Sequence, residues 1–140
     1  MSETTVAEWM HAGVISCRPD TPVEEVAGIM ETEDISALVV VGDAGEAVGV
    51  ISRTDLVNAR FVQPYWKHWR GMNAAHLMSR PVISVTAGTP VGAAVELLRE
   101  RKIHRLVVVE GEGERTRPVG ILSVTDLIKH VGELEDVQGE

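Results

Sequence analysis

A short pattern of two hydroxyl side chains and one carboxylate occurs twice. It reads Ser52-Arg-Thr54-Asp55 and then Ser123-Val-Thr125-Asp126, and each copy directly follows an apolar run that contains a glycine. An ionised aspartate accepts two hydrogen bonds from a vicinal diol, which is the arrangement that a ribose offers. A helix that begins at this point adds backbone N–H donors suited to a phosphate. The pattern therefore indicates a site for a phosphorylated sugar.

The same pattern has a second reading that involves no ligand. Serine followed three residues later by an acidic residue is a capping box, in which the two side chains satisfy the first N–H groups of a helix. Capping accounts for the serine and the aspartate but gives no role to the threonine between them. Spacing alone leaves both readings open.

Positive charge is concentrated before the second of two LVVV runs. Arg99, Arg101 and Lys102 suit the C-terminal end of a helix, where cations complement the helix dipole. Arg105 is different because, with His104, it opens a predicted buried strand. The guanidinium group offers a fork of donors that matches a phosphate. The first LVVV run is preceded by Ser36 and Ala37 instead, so we expect the two halves of the chain to differ in phosphate affinity.

Catalytic and metal-binding readings find little support. The five histidines share no metal-ligand spacing, and the sequence lacks a glycine-rich phosphate loop and a nucleophile elbow. Cys17 follows a predicted strand, where a small apolar role is expected rather than a nucleophilic one. We therefore expect a protein that is not an enzyme and that uses no cofactor and no metal.

Composition excludes other classes. The chain has 140 residues, 44% of them hydrophobic, which is enough for a packed core. Its net charge of -8 argues against a nucleic-acid partner held by phosphate contacts. No apolar run reaches the roughly 20 residues that span a bilayer, so no membrane partner is expected. The N-terminus lacks a signal peptide and there is one cysteine, so a cytoplasmic protein is predicted.

An internal repeat determines the predicted architecture. Residues 5–41 align with 73–109 at an offset of 68, with 13 of 37 positions identical. The match resumes at an offset of 71 as VGVISRTDL over VGILSVTDL. We predict a first unit at 1–60, an aromatic linker at 61–72, a second unit at 73–130 and an acidic tail at 131–140.

Each repeat predicts the order β-α-β-β-α, preceded by a short turn capped by Thr5 or Asn73. The first strands are predicted at Val14–Ser16 and Val82–Ser84. Thr21 and Thr89, each followed by proline, are expected to cap the next helices. Apolar positions at helical spacing in those helices predict faces toward the core: Val23, Val26, Ala27 and Met30 in one, and Val91, Ala94, Val95 and Leu98 in the other. The fold class is therefore α/β (α+β), with two units expected to pack sheet to sheet.

The linker contains four of the five aromatic residues: Phe61, Tyr65, Trp66 and Trp69. Tryptophan and tyrosine are enriched at protein interfaces. These rings either cover the edge of a unit or contact another protein, and the sequence does not separate the two.

The ordered pattern, present twice, resembles a tandem pair of CBS (cystathionine-beta-synthase) domains, known as a Bateman module. The segments that carry the resemblance are GVISCRPDTPVEEVAGIM, ISALVVV and GVISRTDL, with PVISVTAGTPVGAAVELL, IHRLVVV and GILSVTDL in the second copy. The resemblance implies two clefts related by a pseudo-twofold axis, which in this family often hold adenosine compounds such as AMP, ADP, ATP, NAD or S-adenosylmethionine. It also implies association into a homodimer.

The resemblance further implies roles for individual residues. In one cleft Asp126 holds a ribose beside Ser123 and Thr125, and the remaining contacts come from Val14, Ile15, Ile35 and Ser36. In the other cleft Asp55 holds the ribose beside Ser52 and Thr54, and the remaining contacts come from Val82, Ile83, Ile103, His104 and Arg105. His104 and Arg105 reach phosphates, because IHRLVVV is similar to a nucleotide-contacting segment of the gamma subunits of AMP-activated kinase.

The expected function is a non-catalytic regulatory module that binds an adenosine nucleotide of the AMP, ADP or ATP class and signals through a conformational or oligomeric change. The alternative is an assembly module whose Ser-x-Thr-Asp patterns only cap helices. Its aromatic linker would then dock an unidentified protein partner.

Overall fold

The computed structural model describes residues 4–61, 69–112 and 116–133. These residues form a mixed α/β protein with two small sheets. The elements in chain order are α1 (Val6–Trp9), β1 (His11–Ala12), β2 (Ser16–Cys17), α2 (Val23–Glu33), β3 (Ala37–Val41), β4 (Ala47–Ser52), α3 (Arg53–Phe61), α4 (Ala74–Leu77), β5 (Ser84–Thr86), α5 (Val91–Arg101), β6 (Arg105–Glu110), β7 (Arg117–Ser123) and α6 (Val124–Lys129), followed by a 3-10 turn at Val131–Glu133.

The chain divides into two compact units. The first-repeat unit comprises Val14–Ile83 with Gly111–Pro118, and the second-repeat unit comprises Met1–Gly13, Ser84–Glu110 and Val119–Glu140. The first sheet has the order β2-β3-β4, and the second has the order β1-β7-β6-β5. In the first sheet β2 is parallel to β3 and β3 is antiparallel to β4. The predicted β-α-β-β-α order is thus present in both repeats.

The core of each unit comes from the apolar runs identified in the sequence. Leu38, Val39 and Val40 of β3 are fully buried, as are Leu106 and Val108 of β6. The helices contribute one face each, with Val23, Val26 and Met30 buried on α2 and Val91, Ala94 and Leu98 buried on α5. The expectation for Val95 is wrong, because 40% of that residue is exposed.

The opening segment of each repeat packs on the other repeat. Val6 and Ala7 of α1 donate backbone hydrogen bonds to the carbonyl oxygens of Thr89 and Ala87, at 2.8 and 2.9 Å. In the first-repeat unit, Ala74 of α4 donates to the carbonyl oxygen of Thr21 at 2.9 Å. The compact units therefore differ from the sequence repeats by an exchange of the opening segments, residues 4–13 and 72–83, and by the place of Gly111–Pro118 in the first-repeat unit.

This exchange explains why positions 49 and 120 are both occupied by glycine. A Cβ at Gly49 would collide with the Met78 side chain, and one at Gly120 would lie 2.8 Å from the carbonyl oxygen of His11. Met78 and His11 both belong to exchanged segments. Glycine is therefore needed where an exchanged segment crosses a strand.

The predicted caps of α2 and α5 are wrong. Pro22 and Pro90 occupy the N-cap positions, and neither helix has a side-chain cap. The hydroxyls of Thr21 and Thr89 instead accept hydrogen bonds from the backbone of Arg18 and Thr86. Backbone carbonyls of the exchanged segments take over the capping, because Val23 donates to Met72 and Val91 donates to Thr4. Thr5 and Asn73 occupy the predicted N-cap positions, and the Asn73 side chain also accepts a hydrogen bond from the His76 N–H at 3.3 Å.

Candidate functional site

The first Ser-x-Thr-Asp pattern lies at the junction between β4 and α3. The Asp55 carboxylate accepts hydrogen bonds at Oδ2 from the Ser52 backbone N–H, at 2.8 Å, and from the Ser52 hydroxyl, at 3.1 Å. The Asp55 backbone N–H donates in return to the Ser52 hydroxyl oxygen at 3.2 Å. The strand thus ends and the helix begins within a closed loop of hydrogen bonds.

The second pattern repeats this geometry at the junction between β7 and α6. The Asp126 Oδ2 atom accepts from the Ser123 backbone N–H at 2.9 Å and from its hydroxyl at 3.0 Å. The Asp126 N–H donates to the Ser123 hydroxyl oxygen at 3.2 Å. Helix capping by both pairs is confirmed. The same hydrogen bonds fix the position of each carboxylate.

Capping leaves part of each junction available to a ligand. Both hydrogen bonds to each aspartate end on Oδ2, and in the described part of the chain none ends on Oδ1. Asp55 and Asp126 are half-buried, whereas Thr54 and Thr125 are exposed. Neither threonine hydroxyl has a hydrogen bond among the described residues. Each junction therefore presents a fixed carboxylate oxygen beside a hydroxyl that has no part in the cap.

Other predicted site residues lie at the same edge of the first sheet. Ala37 is paired with Ser52, and the Arg53 N–H donates to the carbonyl oxygen of Ser36 at 2.9 Å. The carbonyl oxygen of Ile15 accepts a hydrogen bond from Val39 at 3.2 Å, which places Ile15 at the start of the parallel neighbour. The first-repeat unit thus brings Ile15 and Ser36 to the edge where the Ser52–Asp55 junction lies.

The sequence did not indicate a role for Arg53, yet its side chain contacts two other residues at this edge. Its Nε atom donates to the carbonyl oxygen of Ile35 at 2.9 Å, and its Nη2 atom lies 3.3 Å from Asp34 Oδ1. The guanidinium is therefore engaged by its own unit. The repeat alignment offered one signal, namely an arginine inside the pattern where the second copy has Val124.

The second-repeat unit places His104 and Arg105 beside its junction. The Val124 N–H donates to the carbonyl oxygen of His104 at 3.0 Å, which is the counterpart of the Arg53 contact with Ser36. β6 and β7 are neighbours in the sheet, so Arg105 at the start of β6 lies at the edge where Ser123 ends β7. Arg105 is half-buried and His104 is exposed. The resemblance instead groups these two residues with Asp55, and because that grouping combines residues of both units it stays a prediction.

The remaining predicted contact residues are partly accessible. Val14, Ile15, Ile35, Val82, Ile83 and Ile103 are half-buried, and Ser36 is exposed. Val82 and Ile83 belong to the first-repeat unit, and Ile103 belongs to the second-repeat unit. Each of the two clefts that the resemblance implies combines residues from both units, and these clefts remain predictions.

The aromatic linker is described only at its ends. Phe61 is 74% exposed, whereas Trp69 packs against the buried cluster of Val23, Ala59 and Met72. The Arg60 guanidinium lies 5.8 Å from the Phe61 ring centre and 5.9 Å from that of Trp69. Tyr65 and Trp66 lie outside the described residues.

Clusters of metal-binding side chains and membrane-spanning helices are both absent from the described residues. Residues 4–61, 69–112 and 116–133 contain no group of three or more His, Cys, Asp or Glu side chains placed to hold a metal ion. Among the helices found there, none has the length and apolar character needed to cross a membrane.

The chain is similar in sequence and in fold to several known proteins. The chain is 34% identical over 116 residues to inosine-5'-monophosphate dehydrogenase from Mycobacterium leprae, an alignment that covers 82% of the chain but only 20% of that enzyme. It also resembles the solved CBS domain pair of MJ0100 in complex with 5'-methylthioadenosine and S-adenosyl-L-methionine. That match has a TM-score of 0.80 at 23% identity, covering 94% of this chain and 98% of the other.

A further solved structure is that of CBSX2, a CBS-pair protein from Arabidopsis thaliana, in complex with AMP. The match has a TM-score of 0.75 at 25% identity and covers 92% of this chain and 96% of the other. The model of the CBS domain family matches residues 6–61 and again residues 74–133. Because the two matches take up most of the sequence, the chain belongs to the CBS domain family and consists of a tandem pair of these domains.

Proposed function

We propose that this protein is a non-catalytic regulatory module that binds an adenosine nucleotide of the AMP, ADP or ATP class at its two Ser-x-Thr-Asp junctions. The observation that carries the proposal is the hydrogen bonding of Asp55 and Asp126: each caps a helix through Oδ2, and among the described residues no hydrogen bond ends on Oδ1. The complex of CBSX2 with AMP supports the ligand class.

The aspartate at each junction is the group that holds the ribose. A carboxylate oxygen accepts a strong charge-assisted hydrogen bond from a hydroxyl, and a vicinal diol supplies two donors at the right separation. The exposed hydroxyls of Thr54 and Thr125 lie one residue before the aspartates and add a donor or an acceptor. Because the capping box already holds each carboxylate, binding costs little side-chain entropy there.

Arg105 is the group that recognises a phosphate, and we propose that it does so at the Asp126 junction rather than in the Asp55 cleft that the resemblance implies. Arg105 is the first residue of β6 and lies beside the end of β7. The backbone that carries its guanidinium is therefore held by the hydrogen bonds of the sheet. A planar fork of N–H donors binds phosphate in a bidentate manner, and His104 adds a further donor. At the Asp55 junction the equivalent position, the first residue of β3, is Ala37, which carries no charge. The Asp126 junction is therefore the site with the stronger preference for a phosphorylated ligand.

Half-buried apolar residues provide the surface for the adenine ring. A purine buries both faces against aliphatic side chains, while its edge bonds to backbone groups. The residues assigned to this role are Val14, Ile15, Ile35, Val82, Ile83 and Ile103. Ser36 is assigned a contact with the phosphates.

Binding is coupled to the association of the chain with a second copy or with a protein partner. A ligand changes such an equilibrium only by the difference in its affinity for the two states. The dehydrogenase activity of the relatives is not part of the proposal, because the chain spans about a fifth of their length. We place the protein in the cytoplasm, where the thiol of Cys17 stays reduced.

An assembly module without a ligand is the second candidate. It is favoured by the exposure of Phe61, next to a linker rich in aromatic residues, and by the confirmed capping role of both serine–aspartate pairs. In that case the protein partner is recognised through the linker and the two junctions have a purely structural role.

A thermal-shift panel of adenosine, AMP, ADP, ATP and S-adenosylmethionine separates the two candidates. A ligand that binds only the folded state raises the melting temperature with concentration, following RT ln(1 + [L]/Kd). The proposal predicts such a rise for at least one phosphorylated adenosine compound, with GMP as the control for base selectivity. No rise with any adenosine compound would support the assembly module instead.

A further inference from the structure

Two methionines occupy equivalent positions in the two repeats, and each rests on an equivalent glycine. Met10 and Met78 are related by the offset of 68 residues, and each follows the last residue of a short opening helix, α1 or α4. Gly49 and Gly120 are related by the offset of 71. A Cβ at Gly49 would collide with Met78 Sδ, and a Cβ at Gly120 would lie 2.8 Å from Met10 Sδ. In both units a thioether sulfur therefore packs on the Cα of a glycine.

Each sulfur lies where an exchanged segment joins the sheet of its unit. In the first-repeat unit, the Ser79 N–H donates to the carbonyl oxygen of Val50 at 2.9 Å, and the Val50 N–H donates to that of Ser79 at 3.2 Å. In the second-repeat unit, β1 is antiparallel to β7, and the Gly13 N–H donates to the carbonyl oxygen of Val119 at 2.9 Å. The methionine contact and these hydrogen bonds thus hold the same exchanged segment against the same strand, β4 or β7.

The methionines of the described residues fall into two pairs that differ in exposure. Met10 and Met78 are half-buried. Met30 and Met72 are buried, with 3% and 8% of their surface exposed. A peroxide oxidises a thioether only where it reaches the sulfur, so the two methionines that anchor the exchanged segments are also the two that an oxidant reaches first.

We propose that Met10 and Met78 are paired oxidation sites, at which a peroxide forms methionine sulfoxide and thereby detaches the exchanged segments from β4 and β7. A sulfur lone pair attacks one oxygen of hydrogen peroxide, the O–O bond breaks and an S–O bond forms. The proton on the transferred oxygen passes to the departing hydroxide, and water leaves. Sulfur loses two electrons and the peroxide gains them. The inference goes beyond the proposed function and does not depend on nucleotide binding.

A sulfoxide does not fit the place that the thioether occupies. Its oxygen is a strong hydrogen-bond acceptor, and burial without a donor is costly. At Gly120 the neighbouring polar atom is the carbonyl oxygen of His11, 2.8 Å from the same Cβ position, and a carbonyl donates no hydrogen bond. At Gly49 the Met78 Cβ and Cγ atoms already lie 2.8 and 2.7 Å from that position. The oxidised side chain therefore leaves the glycine to reach water, and the exchanged segment loses its anchor.

Peptide mass spectrometry after graded treatment with hydrogen peroxide locates the added oxygen. The full chain carries Cys17→Val in this experiment, so that no thiol reacts. In the native protein Met10 and Met78 are expected to be oxidised at least about tenfold faster than Met30 and Met72, because the second pair reacts only after opening of the core. In urea all four are expected to react at similar rates.

Hydrogen exchange measured on the oxidised protein detects the detachment. The amides of Ser79 and Gly13 are expected to exchange at least about tenfold faster after oxidation, since their hydrogen bonds join the exchanged segments to the sheets. The Val39 amide, which bonds to the carbonyl oxygen of Ile15 between β2 and β3, is expected to keep its rate. Reductases that act on both sulfoxide epimers are expected to restore slow exchange, which damage to the backbone would not allow.

Leucine variants separate the two methionines from general oxidative damage. Met10→Leu with Met78→Leu keeps a similar side-chain volume and removes the sulfur. This variant is expected to keep slow exchange of both amides before and after peroxide. Each single substitution is expected to protect only the amide of its own unit. Met30→Leu with Met72→Leu is the matched control and is expected to respond as the parent chain does. Melting curves confirm that each variant is folded.

The proposal is overturned if native Met10 and Met78 react no faster than Met30 and Met72, or if the oxidised chain keeps slow exchange of both amides. It is also overturned if the doubly substituted leucine variant responds to peroxide as the parent chain does. Nucleotide binding is measured separately on the same preparations, and its presence or absence changes none of these outcomes.

Discussion

The backbone N–H of Val124 donates a 3.0 Å hydrogen bond to the carbonyl oxygen of His104. This bond holds the start of α6 against the residue that precedes β6, so Arg105 and the Asp126 junction share one edge of the sheet. The first repeat makes the same bond between Arg53 and Ser36, but there the strand begins with Ala37. The same geometry is therefore present twice, but only in the second repeat does the strand begin with a cationic residue.

The first prediction concerns Arg105. Arg105→Ala is expected to lower the affinity for AMP by about tenfold, because a charge-assisted hydrogen bond contributes roughly 1.5–3 kcal/mol. The affinity for adenosine, which has no phosphate, is expected to change little. Isothermal titration calorimetry with both ligands measures the difference. Arg117→Ala removes an exposed arginine of β7 and is the matched control. Equal losses for AMP and adenosine would exclude a phosphate contact by Arg105.

The second prediction concerns the threonines that take no part in the caps. Thr54→Val and Thr125→Val remove exposed hydroxyls while keeping the branched shape. We expect an affinity loss of a few-fold for AMP, equivalent to one hydrogen bond of about 1 kcal/mol, with stability unchanged within about 0.5 kcal/mol. Calorimetry and urea unfolding measure the two quantities, and Thr32→Val is the control. Unchanged affinity in both variants would remove the threonines from the site.

The third prediction concerns capping itself. Ser123→Ala leaves the Asp126 N–H without its acceptor, and Ser52→Ala does the same for Asp55. Each substitution is expected to lower the free energy of unfolding by about 1 kcal/mol. Urea unfolding measures the loss, and Ser16→Ala, at an exposed strand position, is expected to cost less. Losses no larger than that of the control would show that the caps contribute nothing to stability.

The fourth prediction concerns Cys17. Burial raises the pKa of its thiol to about 11, an increase that Glu25 reinforces and a hydrogen bond with Thr21 partly offsets. The folded protein therefore holds this proton more tightly than the unfolded chain. Its contribution to stability is fully present below about pH 9 and is lost as the pH rises toward about 11.

Unfolding at several pH values checks this contribution. Cys17→Val is the control, since Val85 fills the equivalent position of the second repeat. The variant is expected to lose less stability than the wild type between about pH 9 and 11. Iodoacetamide at pH 8 is expected to label native Cys17 slowly and the urea-unfolded chain quickly. Fast labelling of the native protein would contradict the burial of the thiol.

Short sequence patterns predicted the helix caps, the buried strands and most of the core-facing helix positions, because interactions between residues close in the chain determine these features. The serine–aspartate spacing gave both caps, because a capping box involves only four consecutive residues. The continuous LVVV runs gave the buried strands β3 and β6. The helical spacing also identified most of the core faces of α2 and α5.

Long-range contacts account for the features that the sequence did not reveal. Thr21 and Thr89 precede proline and resemble helix caps, but backbone groups of the exchanged segments supply those hydrogen bonds instead. The exchange itself joins residues about 80 positions apart, such as Val6 with Thr89, and no local pattern encodes it. Val95 has the spacing of a core residue, yet its exposure depends on how the helix is rotated against the sheet.

The central claim is that Asp55 and Asp126 bind a ribose as well as capping helices. Replacing both aspartates by glutamate separates these roles. Serine with glutamate three residues later is the common capping box, so the caps are kept. The longer side chain moves each carboxylate by one methylene, so the contact with the ribose is lost. Calorimetry with AMP on Asp55→Glu with Asp126→Glu is the most direct measurement. The proposal predicts saturable AMP binding by the wild type and a loss of tenfold or more in the variant, with unfolding stability retained to within about 1 kcal/mol. Unchanged AMP affinity in a stable variant, or no AMP binding by the wild type, would contradict it.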